Sequence, residues 1–243
     1  MTDALAAHLA TGFVFDAAGR IVRNADPDRG VAPRLYIRGG AAGNHACLRA
    51  DVGAETARAI ERLADDEPPL DAPGRAPRHV DDYVALLGAE APIERHGIGV
   101  NYCFPSDLGY QHDVHTVGSD AGHAALARFG LTPDRELPAP LRAIGFATVG
   151  RLWAPWCVAL HDGEIASLVE TVRIGPAGAE AGVNTVPALR GRGFAAAASA
   201  GWATSPSLGG RTRFYSTSAT NRSSQRVAER LGLQYIGASF SLT

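Results

Sequence analysis

The chain has 243 residues, an apolar content of 46% and a formal net charge of −2. That length holds one large domain or two small ones, and the near-neutral charge makes no case for a nucleic-acid partner. All 23 basic residues are arginine, which excludes chemistry that runs through a lysine Schiff base or a lysine general base.

Cys47, Cys103 and Cys157 are far apart and odd in number. No C-x-x-C spacing occurs, so reduced cytosolic thiols are expected in place of a zinc site or a disulfide framework. The first residues lack a basic region followed by an apolar core, so no secretory leader is expected. No run of about eighteen apolar residues occurs, so no membrane span is expected. Together these place the protein in the cytoplasm, as an expectation.

Along the chain, residues 4–10 suit a short helix. Gly12 to Arg23 reads as a hairpin turning at Asp16 to Gly19. Arg34 to Arg38 and His45 to Val52 have strand composition, with a glycine-rich turn over residues 39–44 between them. Glu55 to Ala64 carries apolar residues at helical spacing. Asp65 to Arg78, rich in Pro and Asp, is a loop. Val80 to Leu87 suits a helix with Asp81 and Asp82 in its first turn, and Gly97 to Phe104 a strand. Residues 1–111 thus form an α+β region without a motif. It is read as a degenerate half of a tandem arrangement or as a layer that shapes a substrate pocket, and it would also serve as a dimer surface.

His112 and His115 form H-x-x-H, but on an extended segment the two side chains point to opposite faces. With no carboxylate motif beside them, no metal site is expected. Val114 to Val117 reads as a strand. Asp120 to Phe129 reads as a helix with Ser119 as N-cap, and Leu137 to Ile144 as a second helix with prolines in its first turn. Trp156 to His161 and Glu164 to Ile174 are strands joined by Asp162-Gly163, a pair that favours a type I′ hairpin turn. Ala179 to Val186 is the next strand, which Pro187 ends.

A short glycine turn, Arg190-Gly191-Arg192-Gly193, then leads into an alanine-rich helix from Phe194 to Thr204. The first N–H groups of a helix lack intrahelical partners and, with the helix dipole, attract anions. Gly191 and Gly193 let the backbone approach a bulky ligand, and Arg190 and Arg192 add forked donors. Ala195 keeps the helix start small. The stretch reads as a pyrophosphate cradle. It is neither a G-x-x-x-x-G-K-[ST] loop nor a G-x-G-x-x-G fingerprint.

Arg190-Gly191-Arg192-Gly193-Phe194-Ala195 resembles the Q/R-x-x-G-x-G/A signature of the GNAT superfamily of N-acetyltransferases. The segment from Asn221 to Leu233, with Asn221, Ser224 and Leu231-Gly232-Leu233, is similar to the family's N-x-x-[AS]-…-L-G-[FL] element, and strand-like Arg213 to Ser218 lies between the two. The resemblance covers about residues 112–243. It implies an α/β fold (α+β) with a mixed, mostly antiparallel sheet flanked by helices, beside the N-terminal α+β region. It implies acetyl-CoA as cosubstrate, no metal, and transfer of an acetyl group to the primary amine of a small molecule or peptide by direct attack.

The resemblance also implies roles. Thr185 and Val186 would hold the pantetheine arm, while residues 190–195 and Asn221 would belong to the carrier site. Glu180 is the candidate base, with a pKa raised by partial burial or acting through a water chain, and Glu170 is the competitor. Ser224 is the candidate acid. The family's usual tyrosine position is Ala228, so Tyr215 and Tyr235 are alternatives. Two other readings stay open: a non-catalytic acyl-CoA-binding or regulatory module, and a phosphate-binding α/β domain with another ligand.

Overall fold

The computed structural model describes residues 2–40 and 43–243. In chain order the elements are α1 (Thr2–Gly12), β1 (Phe13–Phe15), β2 (Ile21–Asn24), β3 (Leu35–Gly40), β4 (Gly43–Leu48), α2 (Ala54–Asp65), α3 (Val80–Gly88), β5 (His96–Cys103) and β6 (Thr116–Gly118). They continue with α4 (His123–Arg128), α5 (Ala139–Arg142), β7 (Cys157–His161), β8 (Glu164–Ile174), β9 (Gly178–Thr185), α6 (Phe194–Ala203), β10 (Thr212–Ser218), α7 (Arg222–Arg230) and β11 (Gln234–Leu242). The turn expected over residues 39–44 includes Ala41 and Ala42, which lie outside the described residues.

β1 and β2 form a small hairpin, and the other strands form one nine-stranded sheet in the order β4-β3-β11-β5-β10-β9-β8-β7-β6. Only β9 and β10 run parallel within it. The sheet is therefore mixed and mostly antiparallel, with helices against it. A division at residue 111 does not separate two sheets. β11, from the second half of the chain, pairs with β3 and β5 of the first half, and β5 in turn pairs with β10.

Local chemistry accounts for most elements. Asp162 and Gly163 both adopt positive φ, 52° and 79°, which a type I′ turn requires. α6 lies flat on the sheet because its face is alanine: Ala196, Ala197, Ala198 and Ala200 are buried. Its Trp202 indole donates to the Pro155 carbonyl at 3.1 Å and to Thr171 Oγ1 at 2.9 Å, which pins the helix over β8. α2 and α3 cover β3, β4 and β11 through Ile60, Tyr83 and Leu87, all fully buried.

Two expected helices are shorter than their patterns. The segment after Ser119 starts as a 3-10 turn, and Gly122, at φ 79°, interrupts it before α4. Ser119 is not an N-cap, since its hydroxyl accepts from the Trp156 N–H at 3.2 Å. The Leu137 to Ile144 pattern condenses to the single turn of α5, with Pro138 as its N-cap and Gly145, at φ 103°, just past its end.

Candidate active site

Leu189 ends a 3-10 turn, and the chain then runs through Gly191 and Gly193 at φ 78° and 94° into α6. Those angles cost a side-chain-bearing residue steric strain, which is why glycine stands there. The N–H groups of Gly191, Arg192, Gly193, Phe194, Ala195 and Ala196 have no acceptor among the described residues, and the Ala197 N–H, donating to Gly193 O at 3.0 Å, is the first to close the helix ladder. A run of free amides at a dipole's positive end is a site for an anion. It opens into a cavity of about 730 Å³.

Arg190 lines that cavity, together with Arg226 and Arg230 from α7. Arg230 sits directly over the turn, its Nη1 3.1 Å from where a Cβ on Gly193 would lie. Arg192 does not line it. Its guanidinium lies 5.5 Å over the Phe194 ring, so only its main chain faces the turn. Phe194 is buried and anchors the start of the helix in the core.

Beside the turn the sheet comes apart. β9 and β10 pair only from Gly178↔Thr212 to Ala181↔Tyr215. Beyond these residues β9 stays on β8 as far as Thr185, and β10 stays on β5 as far as Ser218. The two strands diverge, and a cavity of about 350 Å³ fills the gap.

Which main-chain groups face the gap follows from the register. The Val186 N–H donates to Ala166 O across to β8 at 2.9 Å. Antiparallel pairs alternate in their bonding, so Thr185 and Val183 turn their peptide groups the other way, into the gap. By the same rule the Phe104 N–H bond to Arg213 O leaves Ser216 facing it from β10. Of the two residues expected at the gap, Thr185 turns its peptide group into it, while the Val186 N–H donates to β8. Counting back by two from a bonded residue could have found this, but the register is not visible from one strand alone.

Four cavities join end to end through shared walls. Thr185, Arg190 and Ala195 separate the cradle from a small cavity of about 220 Å³. Val183, Tyr215, Asn221 and Ser224 link that one to the gap. Arg173, Glu180 and Ser216 link the gap to a chamber of about 360 Å³ on the α1 face of the sheet. The four cavities thus lie side by side from the turn to the α1 face of the sheet.

Glu180 sits where gap and chamber meet. His8, on α1, places Nε2 3.4 Å from Glu180 Oε1 and 3.1 Å from Ser216 Oγ, and its ring tilts onto Phe214 at 5.0 Å. Burial alone favours a neutral carboxyl here. His8, then Ser216 and Arg173, outweigh it and hold Glu180 well below the usual carboxylate range. The expectation of a raised pKa is overturned, because the partner that lowers it comes from a helix 172 positions away in sequence. Nothing in the local pattern around His8 marks it.

On the opposite wall the Tyr215 hydroxyl lies 2.6 Å from Ser224 Oγ. Burial pushes the Tyr215 phenol up to about 12, against the hydrogen bond with Ser224. Asn221 caps α7, its Oδ1 accepting the Ser224 N–H at 3.1 Å, and also lines the gap. Tyr235 packs on Tyr102 with ring centroids 5.9 Å apart and lines none of the four cavities. His112 stacks on Tyr110 and His115 on Phe129, so the two histidines have separate partners.

Glu170 lines none of the four cavities either. It is 3% exposed, and its Oε2 has no partner among the described residues. Burial pushes it up to about 7 from an ordinary 4.5, against a backbone hydrogen bond at Trp153. Between those two values the folded state holds the proton more tightly than the unfolded one. Stability therefore falls as pH rises through that window and levels off above it. Glu170→Gln is expected to erase this slope and to raise stability at pH 8 by about 3 kcal/mol. Denaturant titrations from pH 4 to 8 check it, and an unchanged slope in the variant refutes the assignment.

No profile of a known protein family matches the chain, and no curated protein matches it. Among solved structures, the chain is similar to one from Novosphingobium aromaticivorans DSM 12444 assigned to the GNAT family of acetyltransferases, with 22% identity and a TM-score of 0.44. The similarity covers 62% of this chain and 65% of that one, so the chain spans less than two thirds of that relative's length. A GCN5-related N-acetyltransferase-like protein from Streptococcus suis 89/1591 is 15% identical over 87% of this chain and 85% of its own, with a TM-score of 0.45. A GNAT-family acetyltransferase from Colwellia psychrerythraea is 14% identical over 100% and 96%, with a TM-score of 0.43. In fold class the chain is similar to these acetyltransferases. Among the described residues no helix is long and apolar enough to cross a membrane.

Proposed function

We propose that the protein is an acetyl-CoA-dependent N-acetyltransferase acting on a primary amine. The observation that carries this reading is the parting of β9 from β10 beside a run of amides without protein acceptors. Diphosphate on the amides, with Arg190, Arg226 and Arg230 as counter-charges, leaves the pantetheine arm to enter the gap. There the peptide groups of Val183 and Thr185 hold it as a short added strand.

The thioester then lies between Tyr215 and Glu180. The amine arrives from the chamber as an ammonium, attracted by the Glu180 carboxylate. A carboxyl held this low is a weak proton acceptor, so Glu180 orients the ammonium, and the proton it sheds passes to solvent in the chamber. The neutral nitrogen attacks the carbonyl carbon, the C–N bond forms, and the C–S bond breaks. The sulfur leaves with the electron pair and takes, through the Tyr215–Ser224 pair, the second proton that the nitrogen sheds as the amide forms. A phenol shifted up to about 12 is a reluctant acid, so its main part is to hydrogen-bond the developing thiolate. Thr185 and Val183 amides stabilise charge on the carbonyl oxygen.

The direct test is calorimetric binding of acetyl-CoA, with melting as a second readout. At a hundred times Kd, linkage adds about 2.7 kcal/mol, a rise in Tm of roughly 5–10 °C for a chain of this size. No binding at millimolar acetyl-CoA sinks the reading. Binding with no thiol release across an amine library would leave the non-catalytic acyl-CoA-binding module.

A further inference from the structure

We propose that Arg192 is a stacking platform for the adenine of acetyl-CoA, so that the protein reads the base as well as the diphosphate. This rests on the acetyltransferase reading above. Arg190, Arg226 and Arg230 line the cradle, and Arg192 does not. Its guanidinium lies over the Phe194 ring at 5.5 Å. That ring is buried in the core with the alanines of α6, and the His161 ring packs against it at 5.3 Å, so it gives Arg192 a firm seat. Arg192 is exposed, and among the described residues no acidic side chain pairs with it.

A guanidinium aims its N–H donors in its own plane and presents flat faces above and below. A phosphate meets it at the edge, and an aromatic ring meets it on a face. Arg192 is turned onto a ring and away from the cavity where phosphates would sit, which leaves a planar cation at the cavity's rim. Nucleobases stack on such planes. Connectivity points the same way. The Arg192 N–H is one of the amides without an acceptor among the described residues, so on this reading its main chain meets the diphosphate. In CoA the adenosine hangs on that diphosphate, at the end away from the pantetheine arm. Gly191 and Gly193 line the cradle, and the one side chain between them leaves outside it. That side chain is therefore placed for the base and not for the acyl arm.

Substitutions at this one exposed position separate a stack from a charge. Arg192→Ala removes both, Arg192→Lys keeps the charge without the plane, and Arg192→Trp keeps a plane without the charge. Calorimetry with acetyl-CoA is expected to give a Kd about tenfold weaker for Arg192→Ala and Arg192→Lys, and within about twofold of wild type for Arg192→Trp. The S-acetyl thioester of phosphopantetheine, which lacks the adenosine, should bind wild type and variants alike. Arg192→Trp also reports the contact directly. Trp153, Trp156 and Trp202 line none of the four cavities, so fluorescence that falls when acetyl-CoA is added to Arg192→Trp, and not when it is added to wild type, places the base on this position. Equal Kd values for acetyl-CoA across the set overturn the proposal. So does the reverse order, with Arg192→Lys tight and Arg192→Trp weak, which makes Arg192 a phosphate contact. Adenosine 3′,5′-bisphosphate, which carries the base without the acyl arm, keeps the two readings apart. Quenching of Arg192→Trp by it supports the platform even where acetyl-CoA fails to bind, and no quenching by either ligand overturns it.

Discussion

Ala195→Glu is expected to remove acetyl-CoA binding while leaving the fold as stable as the wild type. Ala195 is the second residue of α6 and lines both the cradle and the small cavity beside it. An acidic residue in a helix's first turn is favourable by about 0.3–1 kcal/mol, so the protein should melt no earlier. The same carboxylate would stand among the free amides and repel a diphosphate. One pair of like charges about 4 Å apart costs about 4 kcal/mol at an effective dielectric of 20, or about three decades of affinity. Screening by solvent at the cavity mouth reduces this to about 100-fold. Ala195→Gln has the same length without the charge, and should weaken binding far less. Calorimetric titration of both variants checks this. Equal Kd values for wild type and Ala195→Glu would mean that no anion sits at the turn.

The second large effect is expected at Glu180→Gln: turnover falls by about 100-fold or more, and acetyl-CoA affinity stays as it was. The affinity is spared because Glu180 lines the gap and chamber and not the cradle. Turnover falls because the ammonium loses its counter-charge. Glu180 is held well below the usual carboxylate range, so it stays ionised across the neutral region and does not itself shape the pH profile there. His8→Gln changes the partner that holds the Glu180 carboxylate in place, and its combination with Glu180→Gln should cost little beyond either alone, because the two act as a unit. Wild-type turnover in Glu180→Gln would remove the carboxylate from the reaction.

The fold was legible where local chemistry is decisive. Asp162-Gly163 dictates its turn through positive φ, and the alanine run after Gly193 dictates a helix able to lie close on a sheet. β11 was not anticipated, although Ala238, Phe240 and Leu242 point into the core while Ser239 and Ser241 lie on the opposite face of the sheet. The bulge near Gly237 interrupts that alternation at its start. The run of amides without acceptors over residues 191–196 was readable because one short segment builds it. The rest of the site was not. His8, Arg226, Arg230 and the serine-lined chamber are assembled by pairing among strands remote in sequence, and no single segment carries that pairing. Arg192 illustrates the limit from the other side: its type suits phosphate, yet a neighbouring aromatic ring holds its side chain elsewhere.

The place of β11 between β3 and β5 bears on biosynthesis. Strands β3 and β5 leave the ribosome early, but the slot between them stays vacant until the final strand emerges. Meanwhile both present bare main-chain edges, a surface open to pairing with other nascent chains. Cleavage just before Gln234 should therefore yield a product that clumps, not a smaller folded domain.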